Sequence, residues 1–280
     1  MDVSLFLVGF HKSYKNINNM CLIVFSWQPD SQYPFILTAN RDEFYRRPTQ
    51  TAGFWKDSPD VFGGRDLEAG GSWMAINKNS RFAAVTNYRE VPIPSGLCSR
   101  GELVYNFVTG SQPAADYLSS LQQQADQWAG FNLLVMDTTG LYYFSNRARD
   151  MPISPLLPGI YGLSNHLLDT PWPKLLRARS SFTETVSQSS PPDSNQLIEL
   201  MQDSHQPPPE QLPDTGVSKD VERLLSSCFI ASEDYGTRNT SVLMMDNRNQ
   251  LQWIEQGYLP KGAVGERQLF KIKLRQDQLS

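Results

Sequence analysis

Residues 20–43 read MCLIVFSWQPDSQYPFILTANRDE, in which a polar, proline-containing segment separates two apolar runs. Runs of this length and composition predict two strands, at residues 21–27 and 33–39, and the short connection favours antiparallel pairing. Antiparallel pairing returns the end of the second strand, where the four polar residues 40–43 follow, to the start of the first. We therefore expect residues 40–43 to lie beside Cys21.

A cysteine next to a cation has a chemical use. The thiolate is the nucleophile, and a nearby positive charge lowers a thiol pKa from its ordinary value of about 8.5. The predicted pairing places Arg41 and Asp42 beside Cys21. The alternative interpretation is that residues 40–43 form a solvated turn and that Cys21 is an ordinary buried strand residue.

The rest of the chain mixes strand-like and helix-like segments without a regular βαβ order. Ser111 is a candidate N-cap for the first helix, and a proline-rich loop runs from about His205 to Gly216. This order predicts an α+β domain with antiparallel sheets and segregated helices. The predicted strands are 71–77, 81–87, 131–136, 141–144, 240–246 and 250–256, and the predicted helices are 113–128, 173–186 and 195–203.

Composition excludes several classes of protein. The chain has 280 residues, 40% hydrophobic and 19% charged, which allows a real core and excludes a disordered chain. Its 25 basic and 29 acidic residues give a net charge of −4, and the basic residues are scattered. We therefore expect no nucleic-acid partner.

Motifs for metals and cofactors are missing from the sequence. The three cysteines and three histidines form neither C-x-x-C nor H-E-x-x-H. The pairs Gly63-Gly64 and Gly70-Gly71 lack the order of a dinucleotide-binding loop and read as turns. We expect no metal, no cofactor and no disulfide, and sparse cysteines favour a reducing, cytoplasmic location.

The N-terminal segment, residues 1–19, has one apolar run at residues 3–10, preceded by Asp2 rather than by basic residues. That run is a poor signal peptide and is far shorter than the roughly 20 residues of a transmembrane helix, and no later run reaches that length. Two interpretations stay open: a polar leader before a strand, or a chain that starts at Met20 with Cys21 as the mature first residue. We divide the chain into a leader, 1–19, that the mature protein can lack, and one domain, 20–280.

Seven short motifs, in order, resemble the NRDE family, also called the transport-and-Golgi-organisation family, from Cys21 to about Tyr258. The resemblance implies the fold of the N-terminal nucleophile (Ntn) hydrolases, a four-layer αββα sandwich of two antiparallel sheets flanked by helices. The seven motifs are Met20-Cys21-Leu22-Ile23, Asn40-Arg41-Asp42-Glu43, Gly70-Gly71-Ser72-Trp73, Thr86-Asn87-Tyr88-Arg89, Ser99-Arg100-Gly101, Tyr161-Gly162-Leu163-Ser164-Asn165 and Tyr235-Gly236-Thr237-Arg238.

A more distant similarity reaches the Ntn acylases that cleave bile-salt and penicillin amides, and it implies a role for each matching position. Cys21 would be the nucleophile, with its own α-amino group as base. Asp42 would orient that amine, with Glu43 as the alternative. The remaining implied roles are stabilisation of the thiolate by Arg41 and Arg238, and stabilisation of the oxyanion by Asn87 and Asn165.

Two functions compete at this point. The first is an amidohydrolase that cleaves a non-peptide C–N bond of a small-molecule acyl amide. The second is a non-catalytic carrier or trafficking factor for haem or lipid, which the family resemblance also implies. A haem carrier would need an axial ligand, for which His166, a methionine or Cys21 itself are candidates, although no C-x-x-C-H attachment motif is present.

Overall fold

A computed structural model of the chain describes residues 20–92, 94 and 97–275. The proposed leader, residues 1–19, lies outside the described residues. The first strand, β1 (Met20–Trp27), pairs antiparallel with β2 (Phe35–Phe44), and Cys21 stands directly opposite Arg41. The predicted pairing, and the predicted position of Arg41 beside Cys21, are therefore confirmed.

The strands form two six-stranded antiparallel sheets. The first sheet has the order β12-β11-β10-β2-β1-β9, and the second has the order β3-β4-β5-β6-β7-β8. The remaining strands of the first sheet are β9 (Gly159–Leu163), β10 (Tyr235–Met245), β11 (Gln250–Leu259) and β12 (Ala263–Lys273). The strands of the second sheet are β3 (Thr49–Phe54), β4 (Val61–Asp66), β5 (Met74–Asn77), β6 (Phe82–Asn87), β7 (Phe131–Asp137) and β8 (Gly140–Ser145).

Helices cover the outer face of each sheet. The α-helices are α1 (Gly101–Thr109), α2 (Ala114–Gln123), α3 (Pro173–Gln188), α4 (Ser194–Glu199) and α5 (Lys219–Leu224). Short 3₁₀ turns occupy Ala125–Gln127, Leu200–Gln202, Pro209–Gln211 and Pro260–Gly262. Apolar residues of α1 and α2 pack on the second sheet, and those of α3 and α4 pack on the first. The predicted four-layer αββα sandwich is confirmed.

The largest core lies between the two sheets. Phe25 and Leu37 of the first sheet meet Phe82 of the second there, and all three are essentially buried. Because side chains alternate along a strand, the neighbouring residues Leu22 and Ile36 face the opposite way, into the core beneath α3 and α4. Each face of the first sheet is therefore buried, against the other sheet on one side and against helices on the other.

Several boundaries differ from the sequence-based prediction. Residues 40–43 do not follow the second strand but lie inside it, because β2 pairs with both β1 and β10 along this stretch. The N-cap of α2 is Pro113, not Ser111. Gly63 and Gly64 lie inside β4 rather than in a turn, and a side chain at Gly64 would collide with the Trp73 ring. The elements that the prediction missed are β3, β4, β9, β12, α1 and α5.

Within the described part of the chain, we find no helix with the length and apolar character needed to span a lipid bilayer.

Candidate active site

The motif at residues 40–43 places its side chains alternately on the two faces of β2. Arg41 and Glu43 share the inter-sheet face with Cys21, and their side chains lie 3.7 Å apart. Asn40 and Asp42 face the helices. Asn40 donates from Nδ2 to the carbonyls of Met201 and Cys228, at 2.8 Å each. The motif at residues 40–43 therefore contributes side chains both to the inter-sheet face and to the helix-facing side of the first sheet.

The Cys21 thiol is buried, with 8% of the residue exposed. Burial, followed by the negative charge of Asp42, raises the pKa of Cys21 to about 12, although the guanidinium of Arg41 acts in the opposite direction. The expectation that a neighbouring cation brings this pKa below its ordinary value is therefore wrong for a chain in which Met20 precedes Cys21. Desolvation of the thiolate outweighs the single favourable charge.

Arg41 is held in place from three sides. Its guanidinium stacks on Trp73, with Cζ 4.1 Å from the ring centroid. Nη1 donates to the hydroxyl of Thr49 at 2.9 Å, and Glu43 lies behind it. A planar cation stacked on an aromatic ring and bonded in this way presents a fixed charge to its surroundings.

Cys21 and Arg41 open into a cavity of about 290 Å³ between the two sheets and the start of α1. The start of α1 approaches β5 closely, because the backbones of Gly71 and Gly101 are in contact and a side chain at Gly71 would overlap Gly101. This contact brings the motifs around Ser72 and Arg100 to the cavity wall. The cavity is lined by Cys21, Arg41, Arg47, Asp66, Ser72, Trp73, Val85, Asn87, Pro94, Leu97, Cys98, Ser99, Arg100, Gly101 and Ala129.

Of the two asparagines expected to stabilise an oxyanion, Asn87 lines this cavity and Asn165 lies beneath it. Asn165 is fully buried. Its Nδ2 donates to the backbone carbonyl of Asn87 at 2.9 Å, and its Oδ1 accepts from the Ser164 hydroxyl. The amide of Asn165 thus positions the backbone of Asn87 and does not line the cavity.

Arg238 lies apart from Cys21. Its Nη1 donates to the carbonyls of Phe44 and Arg47, at 2.9 and 3.2 Å. The residue lines a different cavity, of about 190 Å³, together with Glu255. The structure therefore brings Cys21, Arg41 and Asn87 together around one cavity and places Arg238 at another.

Asp42 is buried behind Cys21, on the helix-facing side of the sheet, with 1% of the residue exposed. Oδ1 accepts from the Thr237 hydroxyl at 2.7 Å, whereas Oδ2 has no hydrogen-bond partner among the described residues. Burial raises the pKa of Asp42 to about 6, although the positive charge of the buried Lys174 lowers it. Ionised Asp42 therefore destabilises the folded chain.

Substitution of Asp42 tests this electrostatic cost. The raised pKa means that, between about pH 4 and 6, the folded chain keeps a proton that the unfolded chain loses, so the free energy of unfolding falls as pH rises through this window. Two pKa units correspond to about 3 kcal/mol. We expect Asp42→Asn to remove most of that fall in urea unfolding measured from pH 4 to 7.

The exposed Asp30 provides the control, and Asp30→Asn should leave the pH profile unchanged. Burial also raises the pKa of Glu43 and of Glu255, so these two groups contribute in the same direction in both variants. An unchanged slope in Asp42→Asn would show that Asp42 does not titrate in this window.

Histidine, cysteine and carboxylate side chains are the groups that would hold a metal ion or a haem iron. The described residues contain no group of three His, Cys, Asp or Glu side chains that could hold a metal ion. The candidate axial ligand His166 has both ring nitrogens engaged, with the Tyr88 hydroxyl at 2.7 Å and the Thr170 hydroxyl at 2.8 Å. In this arrangement His166 offers no nitrogen to a haem iron.

Sequence reasoning missed several polar residues of the cavity, namely Arg47, Asp66, Cys98 and Arg100. Arg100 lies within one of the seven motifs, Ser99-Arg100-Gly101, so a signal for it was present without an indication of its role. Arg47 and Asp66 lie in no such motif. They are recognisable only from the structure, where they pair at 2.8 Å at the cavity edge.

Comparisons with known proteins place the chain beside one family and beside solved structures. The model of the family "Transport and Golgi organisation 2" matches residues 20–260. A homologue of that name from Mus musculus is 33% identical over 261 residues, covering 86% of this chain and 94% of the relative. The Drosophila melanogaster protein is 29% identical over 262 residues, covering 85% and 92%.

Among the solved structures that match is a mutant of conjugated bile acid hydrolase from Clostridium perfringens. It matches with a TM-score of 0.44 and 9% identity, and the match covers 91% of this chain and 92% of that one.

Proposed function

We propose, on the premise that this chain belongs to the Transport and Golgi organisation 2 family, that it is a hydrolase of small-molecule acyl amides with Cys21 as N-terminal nucleophile. The observation that carries the proposal is the placement of Cys21. Cys21 lines a cavity of about 290 Å³. It stands directly opposite Arg41 in the β1–β2 pair. The bond cleaved is a non-peptide amide C–N bond.

The base in this reaction is the α-amino group of Cys21. While Met20 precedes Cys21, that nitrogen belongs to a peptide bond and takes up no proton, so the proposal requires a mature chain that begins at Cys21. A free α-amine has an ordinary pKa near 7.7 to 8.0 and can accept the thiol proton at neutral pH. Cys21 is paired with Arg41 and Met20 with Asp42, so the α-nitrogen of Cys21 lies beside the backbone between Arg41 and Asp42. This position supports a role for Asp42 in holding the ammonium.

The reaction then proceeds in two steps. The Cys21 sulfur attacks the carbonyl carbon and its proton passes to the α-amine, while Asn87 faces the developing oxyanion from the cavity wall. Collapse of the tetrahedral intermediate breaks the C–N bond. The leaving amine takes the proton from the α-ammonium, and a thioester remains on Cys21. Water attacks the thioester, releases the acid and restores the thiol.

The state of the cysteines supports a reducing location for this chemistry. Cys21, Cys98 and Cys228 all lie in the described part of the chain, and all are free thiols. We propose the cytoplasm as the compartment, since thiols persist there.

Comparison of two forms of the chain, one that begins at Cys21 and one that keeps Met20, tests the proposal. We expect iodoacetamide at pH 7.5 to alkylate Cys21 at least about tenfold faster in the first form, because the free amine can deprotonate the thiol. Only the first form should turn over a panel of acyl amides. Intact mass identifies each form, and peptide mass spectrometry measures labelling.

Cys228 is the internal control in both forms, because burial raises its pKa to about 12 and its surroundings do not change between them. Equal Cys21 labelling and equal turnover in the two forms would reject the α-amine as base.

A further inference from the structure

Arg100 is a cation in the Cys21 cavity that the proposed reaction does not use. It lies just before α1, and its Nη1 donates to the carbonyl of Gly130 at 3.2 Å. In the part of the chain that the structure describes, no carboxylate lies within 4 Å of its guanidinium. Glu90, whose charge still reaches Arg100, is taken by Arg147 through two bonds of 2.7 and 2.8 Å.

The other two arginines of the cavity are each neutralised by a carboxylate. Arg47 pairs with Asp66 at 2.8 Å, and Arg41 lies 3.7 Å from Glu43. Arg47 also lies within 4 Å of Glu43 and Glu68, so Arg100 is the arginine of the cavity that has no carboxylate within 4 Å among the described residues. Removal of a cation from water is unfavourable unless an anion approaches it, so this charge favours an anionic ligand.

Part of the cavity wall is apolar. Val85, Leu97 and Ala129 contribute to it. A volume of about 290 Å³ lies near the lower end of the roughly 300 to 1,000 Å³ of small-molecule sites. Such a cavity fits a short carbon chain with one charged group.

We propose that Arg100 binds a carboxylate of the substrate, so that the substrates of the Cys21 site are small acyl amides that carry one carboxylate. The identification of this ligand as a substrate rests on the proposed function, but carboxylate binding by Arg100 does not require turnover. A guanidinium can bind a carboxylate through two parallel hydrogen bonds, which gives both affinity and orientation. Arg100 is thus a specificity-determining residue of the cavity.

The experiment compares hexanoate with its neutral isostere hexanamide by calorimetry on the full chain. We expect hexanoate to bind at least about tenfold more tightly, since the guanidinium forms charge-assisted hydrogen bonds with a carboxylate but not with a neutral amide. Arg100→Gln keeps a donor for the Gly130 carbonyl and should make the two affinities equal, whereas Arg100→Lys should keep part of the preference. Arg149→Gln is the control, because Arg149 pairs with Asp126 outside the cavity.

Equal binding of the two probes by the wild type, binding of neither, or an unchanged preference in Arg100→Gln would overturn the assignment. Tighter binding of hexyl phosphate than of hexanoate would replace the carboxylate by a phosphate and overturn it too. A carboxylate preference in a protein that cleaves no amide would keep the role of Arg100 and reject the hydrolase. Turnover of neutral amides without any preference for hexanoate over hexanamide would keep the hydrolase and reject the role of Arg100.

Discussion

Replacement of Cys21 by alanine is expected to lower the kcat for acyl amides by at least about 10³-fold, to the uncatalysed level, while the chain stays folded. Sulfur is the atom that forms the thioester, and no described side chain of the cavity other than Cys98 carries a thiol. Alanine keeps this buried strand position apolar. Steady-state kinetics of the variant measure the loss of kcat, and its melting temperature shows whether the chain stays folded.

Cys98→Ala is the matched control for Cys21→Ala. Cys98 lines the same cavity but is exposed, so its loss should leave kcat near the wild-type value. Full turnover in Cys21→Ala would remove the nucleophile from the mechanism. Saturable haem binding by the wild type, without turnover of any amide tested, would reject the hydrolase and favour the carrier function instead.

The largest loss of stability is expected from Asn40→Ala. Asn40 is buried, donates to the carbonyls of Met201 and Cys228, and accepts from the Thr240 hydroxyl. Truncation removes the donor of the two buried carbonyls, at about 1 to 3 kcal/mol for each unsatisfied group, whereas the Thr240 hydroxyl keeps its contact with the Tyr258 hydroxyl. We expect the free energy of unfolding to fall by about 2 to 4 kcal/mol and the melting temperature by roughly 5 to 10 °C.

Asn247→Ala is the control for Asn40→Ala, because Asn247 is an exposed residue of the β10–β11 turn and should change the free energy of unfolding by less than about 0.5 kcal/mol. Urea unfolding measures both variants. If Asn40→Ala unfolds at the wild-type urea concentration, the hydrogen bonds of Asn40 do not hold the helix layer on the first sheet.

The pairing of β1 with β2 could be predicted because both strands are apolar and their connection is short. The extent of β2 could not. Residues 40–43 have the composition of a turn, yet they continue the strand, because neighbours on both sides supply hydrogen bonds to its backbone. Position between two strands outweighs the low strand propensity of polar residues. The edge strand β12 was missed for a related reason, since its largely exposed side chains show no alternating pattern.

The candidate site was predictable only where strand geometry determines position. Cys21 and Arg41 meet because of the strand register, which follows from the sequence pattern. Arg100 lines the Cys21 cavity and Arg238 lines another, because distant parts of the chain decide which arginine reaches the cavity. The close contact of Gly71 with Gly101 brings Arg100 to the wall, and neither glycine reveals that contact in the sequence.

The alternation of side chains along β2 also limits how this gene can change in length. A single codon inserted into β2 or deleted from it before Arg41 would turn the guanidinium toward the helices and bring a neighbouring side chain to the thiol, so the Cys21–Arg41 juxtaposition and the packing of both faces would be lost in one step. The connection at residues 28–34 carries no such constraint, because it lies outside both strands. Length variation among relatives should therefore accumulate there and be absent from residues 35–44.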